Sequence, residues 1–161
     1  MSDDVDRLLA DWRRERPDVD LSPMEVLSRV SRLNHLLDRA RAEVFADHEI
    51  VGWEFDVLAA LRRAGAPYEL SPGRLIKETL VTSGTMTNRV DRLVRRGFVS
   101  RSPDPADRRG VLVRLTTAGR TVVDGALESL LRQETQLLAG INAEQRHQLS
   151  DLLRALMMRT A

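Results

Sequence analysis

A single change in the spacing of apolar residues, at Gly97, constrains the fold of this chain more than any other feature of its sequence. Before Gly97, apolar residues recur every three or four positions, as they do in amphipathic helices. Residues 98–101 and 111–116 are then predicted to form two short strands, joined by a polar loop over residues 102–110. The helical spacing returns from Thr117 onward. The pattern predicts a mainly α fold with a small β-hairpin.

Start and stop signals place helices on either side of this change. A short N-terminal helix ends before Pro17, and a capping box over residues 22–25 begins a long helix that runs to about Ala46. Residues 53–64 are predicted to form a buried helix, because apolar side chains cover most of its circumference. The last third of the chain is predicted to form two helices, and a capping box over residues 142–145 begins the second.

Two short predicted helices immediately precede the hairpin. A serine cap and a first-turn proline begin the first, over residues 71–80. After a brief turn, Thr82 or Ser83 can cap a second helix that reaches Arg96, and Gly97 closes it. A hairpin directly after two helices joined by a turn predicts a winged helix-turn-helix.

The terminal helices carry more apolar surface than a small central lobe can cover. This surplus favours a subunit interface built from both ends of the chain. We therefore treat residues 1–161 as a single domain, with a winged helix lobe at residues 53–116. Residues 1–46 and 117–161 are predicted to form the helical dimerisation region of a homodimer.

Basic charge is concentrated in the middle of the chain. Residues 74–120 hold eleven Arg or Lys against four Asp or Glu, a local charge of +7. The rest carries 14 basic against 20 acidic residues, or −6, although the whole chain is nearly neutral at +1. A basic middle with acidic flanks predicts that one surface binds a polyanion such as double-stranded DNA.

The composition and the lack of certain motifs argue against several other classes of protein. The chain has no cysteine, which excludes disulfides and thiolate metal sites, and its three histidines lie far apart in sequence, so we expect no metal and no cofactor. The apolar runs are short and the N-terminus is acidic where a secretory signal is basic, so we expect a cytoplasmic protein without membrane contact. A small helical enzyme is a less favoured alternative, because phosphate loops and nucleophile elbows are missing.

The helix after Thr82 has an apolar and a polar side on a helical wheel. The apolar side is formed by Met86, Val90, Leu93 and Val94. The opposite side is small and polar at first and then carries guanidinium groups, which suits entry into a major groove, with Arg92 on a base and Arg95 on a phosphate. The alternative is a solvated face with ordinary surface arginines. The predicted DNA contacts of this helix are Ser83, Thr85, Thr87, Asn88, Arg92 and Arg95.

The hairpin loop supplies a second basic element. Arg108 or Arg109, near its tip, can insert into a narrow minor groove, where the negative potential is deepest. The alternative is a hairpin stabilised by a pair between Asp107 and one arginine, with both arginines simply exposed. The asymmetric charge favours the DNA contact.

Residues 82–99, TSGTMTNRVDRLVRRGFV, together with residues 107–116, DRRGVLVRLT, and Gly119 resemble the MarR family of regulators. The resemblance runs from about Ser22 to the C-terminus. It implies a homodimer joined through its terminal helices, with each winged lobe reading half of a pseudo-palindromic operator and half-site centres roughly 10 bp apart. It also implies that the protein represses transcription.

A narrower resemblance is to the urate-responsive branch of that family. Its members carry a tryptophan in an extra N-terminal helix, an aspartate on the helix after the long one, and arginines within and just past the recognition helix. The matching positions here are Trp12, Asp56, Arg89 and Arg101. The resemblance implies that these residues bind a small anionic effector, such as urate or a related purine, which releases the DNA.

A charge-competition mechanism fits these four positions. Arg89 lies at the edge of the apolar side of its helix, and Asp56 lies in a helix where an unpaired carboxylate costs free energy, so we predict an ion pair between them. An anion stacked on Trp12 and hydrogen-bonded to Arg89 and Arg101 would compete with that carboxylate. Alternatively, Asp56 faces solvent beside Arg63, and Arg89 contacts a phosphate.

A further alternative is a winged-helix lobe used only for dimerisation or protein docking. Such a module binds no DNA and lacks the steep salt dependence of a protein that neutralises phosphates.

Overall fold

The computed structural model describes residues 2–158, apart from the side chains of residues 108 and 109. These residues divide into two compact units, one ending at Glu43 and one beginning at Val44. The helices are α1 (Asp4–Glu15), α2 (Ser22–Asp47), α3 (Gly52–Arg63), α4 (Pro72–Thr79), α5 (Ser83–Arg95), α6 (Thr117–Leu137) and α7 (Ala143–Met158). The strands are β1 (Glu69–Leu70), β2 (Val99–Asp104) and β3 (Asp107–Leu115). Within residues 2–158, every helix is too short or too polar to span a lipid bilayer.

In the first unit, a capping box that the sequence analysis missed fixes the start of α1. The carboxylate of Asp3 accepts hydrogen bonds from the amides of Val5 and Asp6, and the Asp6 carboxylate accepts one from the Asp3 amide. Arg29 of α2 donates to both carboxylates, and its hydrogen bond is the main reason that the pKa of Asp3 lies below its usual value. The two helices are thereby joined by charge at one end of the unit.

The start of α2 differs from the prediction. Ser22 is the first helical residue, and its amide and hydroxyl donate to the Asp20 carboxylate at 2.9 and 3.0 Å. Glu25 instead accepts a hydrogen bond from Arg13 at 2.6 Å. The predicted box between Ser22 and Glu25 does not form, because a carboxylate and a guanidinium, as ionised groups, make stronger hydrogen bonds to these side chains.

The larger of two apolar clusters in the described part of the second unit receives side chains from α3, α4, α5, the sheet and α6. Helices α3, α4 and α5 begin and end within one residue of their predicted bounds. Sharing one core holds the two helices of the helix-turn-helix and the sheet in a fixed arrangement. Its largest fully buried side chains are Leu58, Leu61, Leu75, Met86, Leu93 and Val113.

The sheet has three antiparallel strands in the order β1-β3-β2. The sequence analysis missed β1, and it placed in a loop several residues that belong to strands. The pairing of β2 with β3 extends from Val99 opposite Leu115 to Pro103 opposite Val111, and residues 105 and 106 form the turn. Pro103 is compatible with this ladder because β2 is an edge strand, where a missing amide hydrogen is tolerated.

Helix α6 begins where the chain passes close to the base of the hairpin. Thr116 caps it, and a side-chain carbon added to Gly119 would lie 2.1 Å from the carbonyl oxygen of Phe98. Helix α7 begins at the predicted capping box, in which Asn142 and Gln145 exchange amide-to-side-chain hydrogen bonds of 2.9 Å. Helix α7 has no buried residue within the described part of the chain. Exposed leucines of α6 and α7 include Leu127, Leu131, Leu137, Leu149, Leu152, Leu153 and Leu156.

Candidate nucleic-acid interface

Helix α5 separates a buried and an exposed face much as the sequence predicts. Met86, Val90 and Leu93 are buried, whereas Val94, which was assigned to the same face, is 38% exposed. Val94 lies about 80° around the helix from Met86, at 100° per residue, and this places it at the edge of the apolar side. Every predicted DNA contact on α5 is exposed: Ser83, Thr85, Thr87, Asn88, Arg92 and Arg95.

The exposed face of α5 is narrow at its N-terminus and basic toward its C-terminus. Thr82 caps the helix, with its hydroxyl 3.4 Å from the Thr85 amide. Apart from the neighbouring residues and the backbone of α5 itself, no described atom lies within 4 Å of the position that a side-chain carbon on Gly84 would occupy, so there is open space beside this end of the helix. Arg92 and Arg95 follow in the last turn. A slim, polar leading end followed by guanidinium groups suits insertion into a major groove.

The hairpin is tied to α5 by an ion pair. Arg101 of β2 lies 2.7 Å from the carboxylate of Asp91, and both side chains are about half exposed. The sequence analysis gave Asp91 no role. Arg108 and Arg109 lie in β3, close to the turn, but their side chains are outside the described part of the structure.

Trp53 of α3 contacts two arginines of α5. The guanidinium carbon of Arg92 lies 5.1 Å from the centre of a Trp53 ring, and that of Arg89 lies 5.4 Å from it. These are cation–π distances. The neighbouring helix therefore restrains both arginines, although Arg92 remains exposed.

The buried carboxylate of α3 is Glu54, which the sequence analysis did not single out. It is 2% exposed and lies 2.6 Å from Arg96, the residue that ends α5. Glu54 also accepts a hydrogen bond from the Val51 amide at 3.1 Å, and Arg96 donates to the carbonyl oxygen of Glu49. This network joins the start of α3 to the C-terminal end of α5.

The predicted ion pair between Asp56 and Arg89 is wrong. Asp56 is exposed, and among the described residues Arg89 contacts Trp53 rather than that carboxylate. The prediction failed because it chose the wrong acidic residue of α3: the carboxylate that needs a buried partner is Glu54, and Arg96 supplies the charge.

The four residues assigned to an effector fall in both units. Trp12 lies in α1 of the first unit and is 45% exposed. Asp56, Arg89 and Arg101 lie in the second unit, on α3, α5 and β2.

Sequence signals existed for two of the residues that were missed. Glu54 is the third residue of α3, the position from which a glutamate reaches back to the amide at the helix start. Asp91 directly precedes Arg92 at the basic end of α5, where a carboxylate needs a cationic partner if it is not to repel DNA. The contact of Trp53 depends on how α3 crosses α5, which the spacing of residues does not reveal.

The helix-turn-helix, the polar and basic exposed face of α5, and the hairpin tied to that helix define a winged helix-turn-helix DNA-binding protein. The chain belongs to the MarR family of transcriptional regulators, whose family model matches residues 50–110. It is 37% identical over 150 residues to the regulator PecS of Dickeya dadantii, an alignment that covers 93% of this chain and 90% of PecS.

Two solved structures are also similar. A mutant of MarR from Escherichia coli, crystallised with operator DNA, matches with a TM-score of 0.71 and 31% identity over 86% of this chain and 99% of that one. BpsR of Bordetella bronchiseptica, studied for the regulation of its DNA binding by 6-hydroxynicotinic acid, matches with a TM-score of 0.69 and 29% identity. The match covers 82% of this chain and 92% of BpsR. The relatives are regulators named for DNA binding rather than for catalysis.

Proposed function

We propose that this chain is a ligand-responsive repressor that binds a pseudo-palindromic operator as a homodimer and is released by a small anion. The observation that carries the proposal is the exposed face of α5, where small polar residues lead and two arginines follow. In this proposal, the residues from Ser83 to Asn88 approach base edges, Arg92 contacts a base, and Arg95 contacts a phosphate. Arg108 and Arg109 of the hairpin enter the adjacent minor groove.

The homodimer is proposed from the apolar side chains that the second unit leaves exposed. Helix α7 is an amphipathic helix with no buried residue among those described, and its leucines are exposed, as are several leucines of α6. Apolar surface of this extent is covered in soluble regulators, and a second copy of the same helices is a self-complementary cover.

The effector is proposed to act on arginines that already bridge elements of the lobe. Arg101 holds β2 to Asp91 of α5, and Arg89 lies against Trp53. A small anion that binds both guanidinium groups competes with the Asp91 carboxylate for Arg101. Loss of the ion pair between Arg101 and Asp91 then weakens the attachment of the hairpin to α5. The anion would also repel the carboxylate of Asp56.

A modest coupling suffices for such a switch. An effector that changes operator affinity tenfold to a hundredfold needs a coupling free energy of about 1–3 kcal/mol. The regulation of BpsR by 6-hydroxynicotinic acid supports an aromatic anion as the class of effector. Urate is the first compound to test.

The experiment begins with selection of bound sequences from a random pool of duplex DNA. We expect a two-fold-symmetric site with half-site centres roughly 10 bp apart and an affinity that falls steeply with salt. Arg92→Ala should weaken binding and relax the preference at one operator position, and Arg95→Ala should weaken binding uniformly and flatten the salt dependence. Arg132→Ala, an exposed arginine of α6, is the matched control.

Urate is then added to the recovered complex. We expect it to weaken operator binding by wild-type protein, and to do so much less for Arg101→Ala. Failure to bind duplex DNA would contradict the DNA-binding proposal and favour a docking module, and binding without sequence preference would contradict a specific operator. A wild-type complex that withstands urate and related anions would contradict the effector proposal alone.

A further inference from the structure

Trp53 occupies an unusual position for an aromatic residue of a core helix. It is the second residue of α3, it packs against the apolar cluster of the second unit, and its ring is still partly exposed. Arg89 and Arg92, one helical turn apart on α5, both place their guanidinium groups at 5.4 and 5.1 Å from it. One indole ring therefore contacts the guanidinium groups of two arginines of α5.

The contact leaves the charge of Arg92 available. Among the described residues, Arg92 has no carboxylate within ion-pair distance, in contrast to Arg96 and Arg101, which are both paired. An indole face attracts a guanidinium without neutralising it, and stacking leaves the edge donors of the planar group free. An arginine stacked on a ring can therefore still donate to a base or a phosphate.

Restraining such a side chain favours binding. A free arginine loses rotamer freedom when it is fixed against DNA, and this loss of side-chain entropy weakens binding. A ring that already restricts Arg92 in the unbound protein removes part of this loss. It also limits the positions along the groove that the guanidinium reaches, and so limits the base pairs that it can read.

We propose that Trp53 is a positioning residue for DNA recognition, which holds Arg92 against α3 in the orientation that contacts the operator. The inference rests on the proposed function, because it requires Arg92 to contact DNA. Trp53 itself touches the arginine and not the nucleic acid. The same ring also contacts Arg89.

A double-mutant cycle tests this positioning role. Operator affinity is measured for wild type, Trp53→Leu, Arg92→Ala and the double variant, with melting temperatures recorded for each. We expect Trp53→Leu to weaken binding about threefold to tenfold when Arg92 is present, since a cation–π contact of this kind contributes at that level. When Arg92 is already alanine, the same change should alter affinity by less than about twofold.

A conservative variant provides the second measurement. Trp53→Phe keeps an aromatic face and the packing of α3, so most of the affinity should be retained, and the remaining loss should again depend on Arg92. If Trp53→Leu melts too early for binding assays, the cycle is completed with Trp53→Phe. Sequence selection with Trp53→Leu should also show a weaker preference at the position that Arg92→Ala relaxes.

The inference would be overturned if Trp53→Leu lowered operator affinity equally in wild type and in Arg92→Ala, because Trp53 would then act only through the stability of the fold. Full affinity in Trp53→Leu would overturn it as well. A wild-type protein that binds no DNA would instead overturn the proposed function, so the two failures are distinguishable.

Discussion

Helices α5 and α7 have similar apolar patterns in the sequence but different surroundings in the structure. Helix α5 buries Met86, Val90 and Leu93 in the core of its own unit. Helix α7, three residues longer, buries none of its described residues, and Leu152 is 70% exposed. An apolar stripe therefore shows that a helix face needs a cover, but it does not show whether the cover comes from the same chain.

The largest expected effect tests this difference directly. Leu93→Ala removes a fully buried side chain, and we expect a loss of about 2–5 kcal/mol in the free energy of unfolding at any protein concentration. Leu152→Asp should leave the fold of the lobe intact and shift the protein from dimer to monomer. Urea denaturation at two protein concentrations and analytical ultracentrifugation measure the two effects.

A dimer that persists in Leu152→Asp would show that α7 is covered in some other way. If the stability lost in Leu93→Ala depended on protein concentration, the apolar cluster that buries one face of α5 would not be complete within one subunit. Either outcome would remove the contrast between the two helices.

A smaller effect is expected at Gly119, where the start of α6 lies close to the base of the hairpin. Gly119→Ala would place a carbon 2.1 Å from the Phe98 carbonyl oxygen, so the helix must move away from the base of the hairpin. We expect a destabilisation of about 1–3 kcal/mol in thermal or urea unfolding. Gly140→Ala is the matched control, because no atom lies within 4 Å of the added carbon, and it should change stability by less than about 0.5 kcal/mol. Equal effects of the two substitutions would contradict the close approach.

The smallest expected effect concerns the charged network at the end of α5. Glu54→Gln removes the buried charge that pairs with Arg96, and we expect a loss of about 1–2 kcal/mol, because Arg96 is partly exposed and water compensates some of the loss. Glu128→Gln, an exposed residue of α6, should be close to neutral. Urea titrations of both variants measure the change in the free energy of unfolding, and operator-binding assays then measure any effect on DNA affinity. Wild-type stability in Glu54→Gln would mean that the pair contributes nothing to holding α5.

Local signals in the sequence were sufficient for most of the secondary structure. Caps, first-turn prolines and closing glycines located α3, α4 and α5 to within one residue, because these signals act on the nearest backbone groups. The short strand β1 was missed, since two residues have no periodicity and form a strand only through pairing with β3. Strand β2 was predicted too short because Pro103 usually ends a strand, and the edge position that tolerates it is a tertiary property.

The sequence was sufficient to predict which residues of α5 are exposed. It was not sufficient to predict which acidic or aromatic residue contacts each arginine. The wheel identified the exposed polar residues of α5. It could not identify which acidic residue pairs with which arginine. Two carboxylates of α3 and several arginines of α5 are close in sequence, and only the crossing of the helices selects Glu54 and Arg96. The roles of Asp91 and Trp53 depend on the same geometry.

The three-stranded sheet has a consequence for the operators that one subunit accepts. Strand β3 pairs with β2 along the hairpin, and at the base of the hairpin it also pairs with Glu69 and Leu70 of β1, which follows α3. In the proposed complex, this pairing and the ion pair between Arg101 and Asp91 would keep the base of the hairpin at a fixed distance from α5. One extra base pair inside a half-site would move one of the two proposed contacts by about 3.4 Å along the axis, so we expect such an insertion to weaken binding. Tolerance for variation in natural operators should accordingly be confined to the spacer between the half-sites.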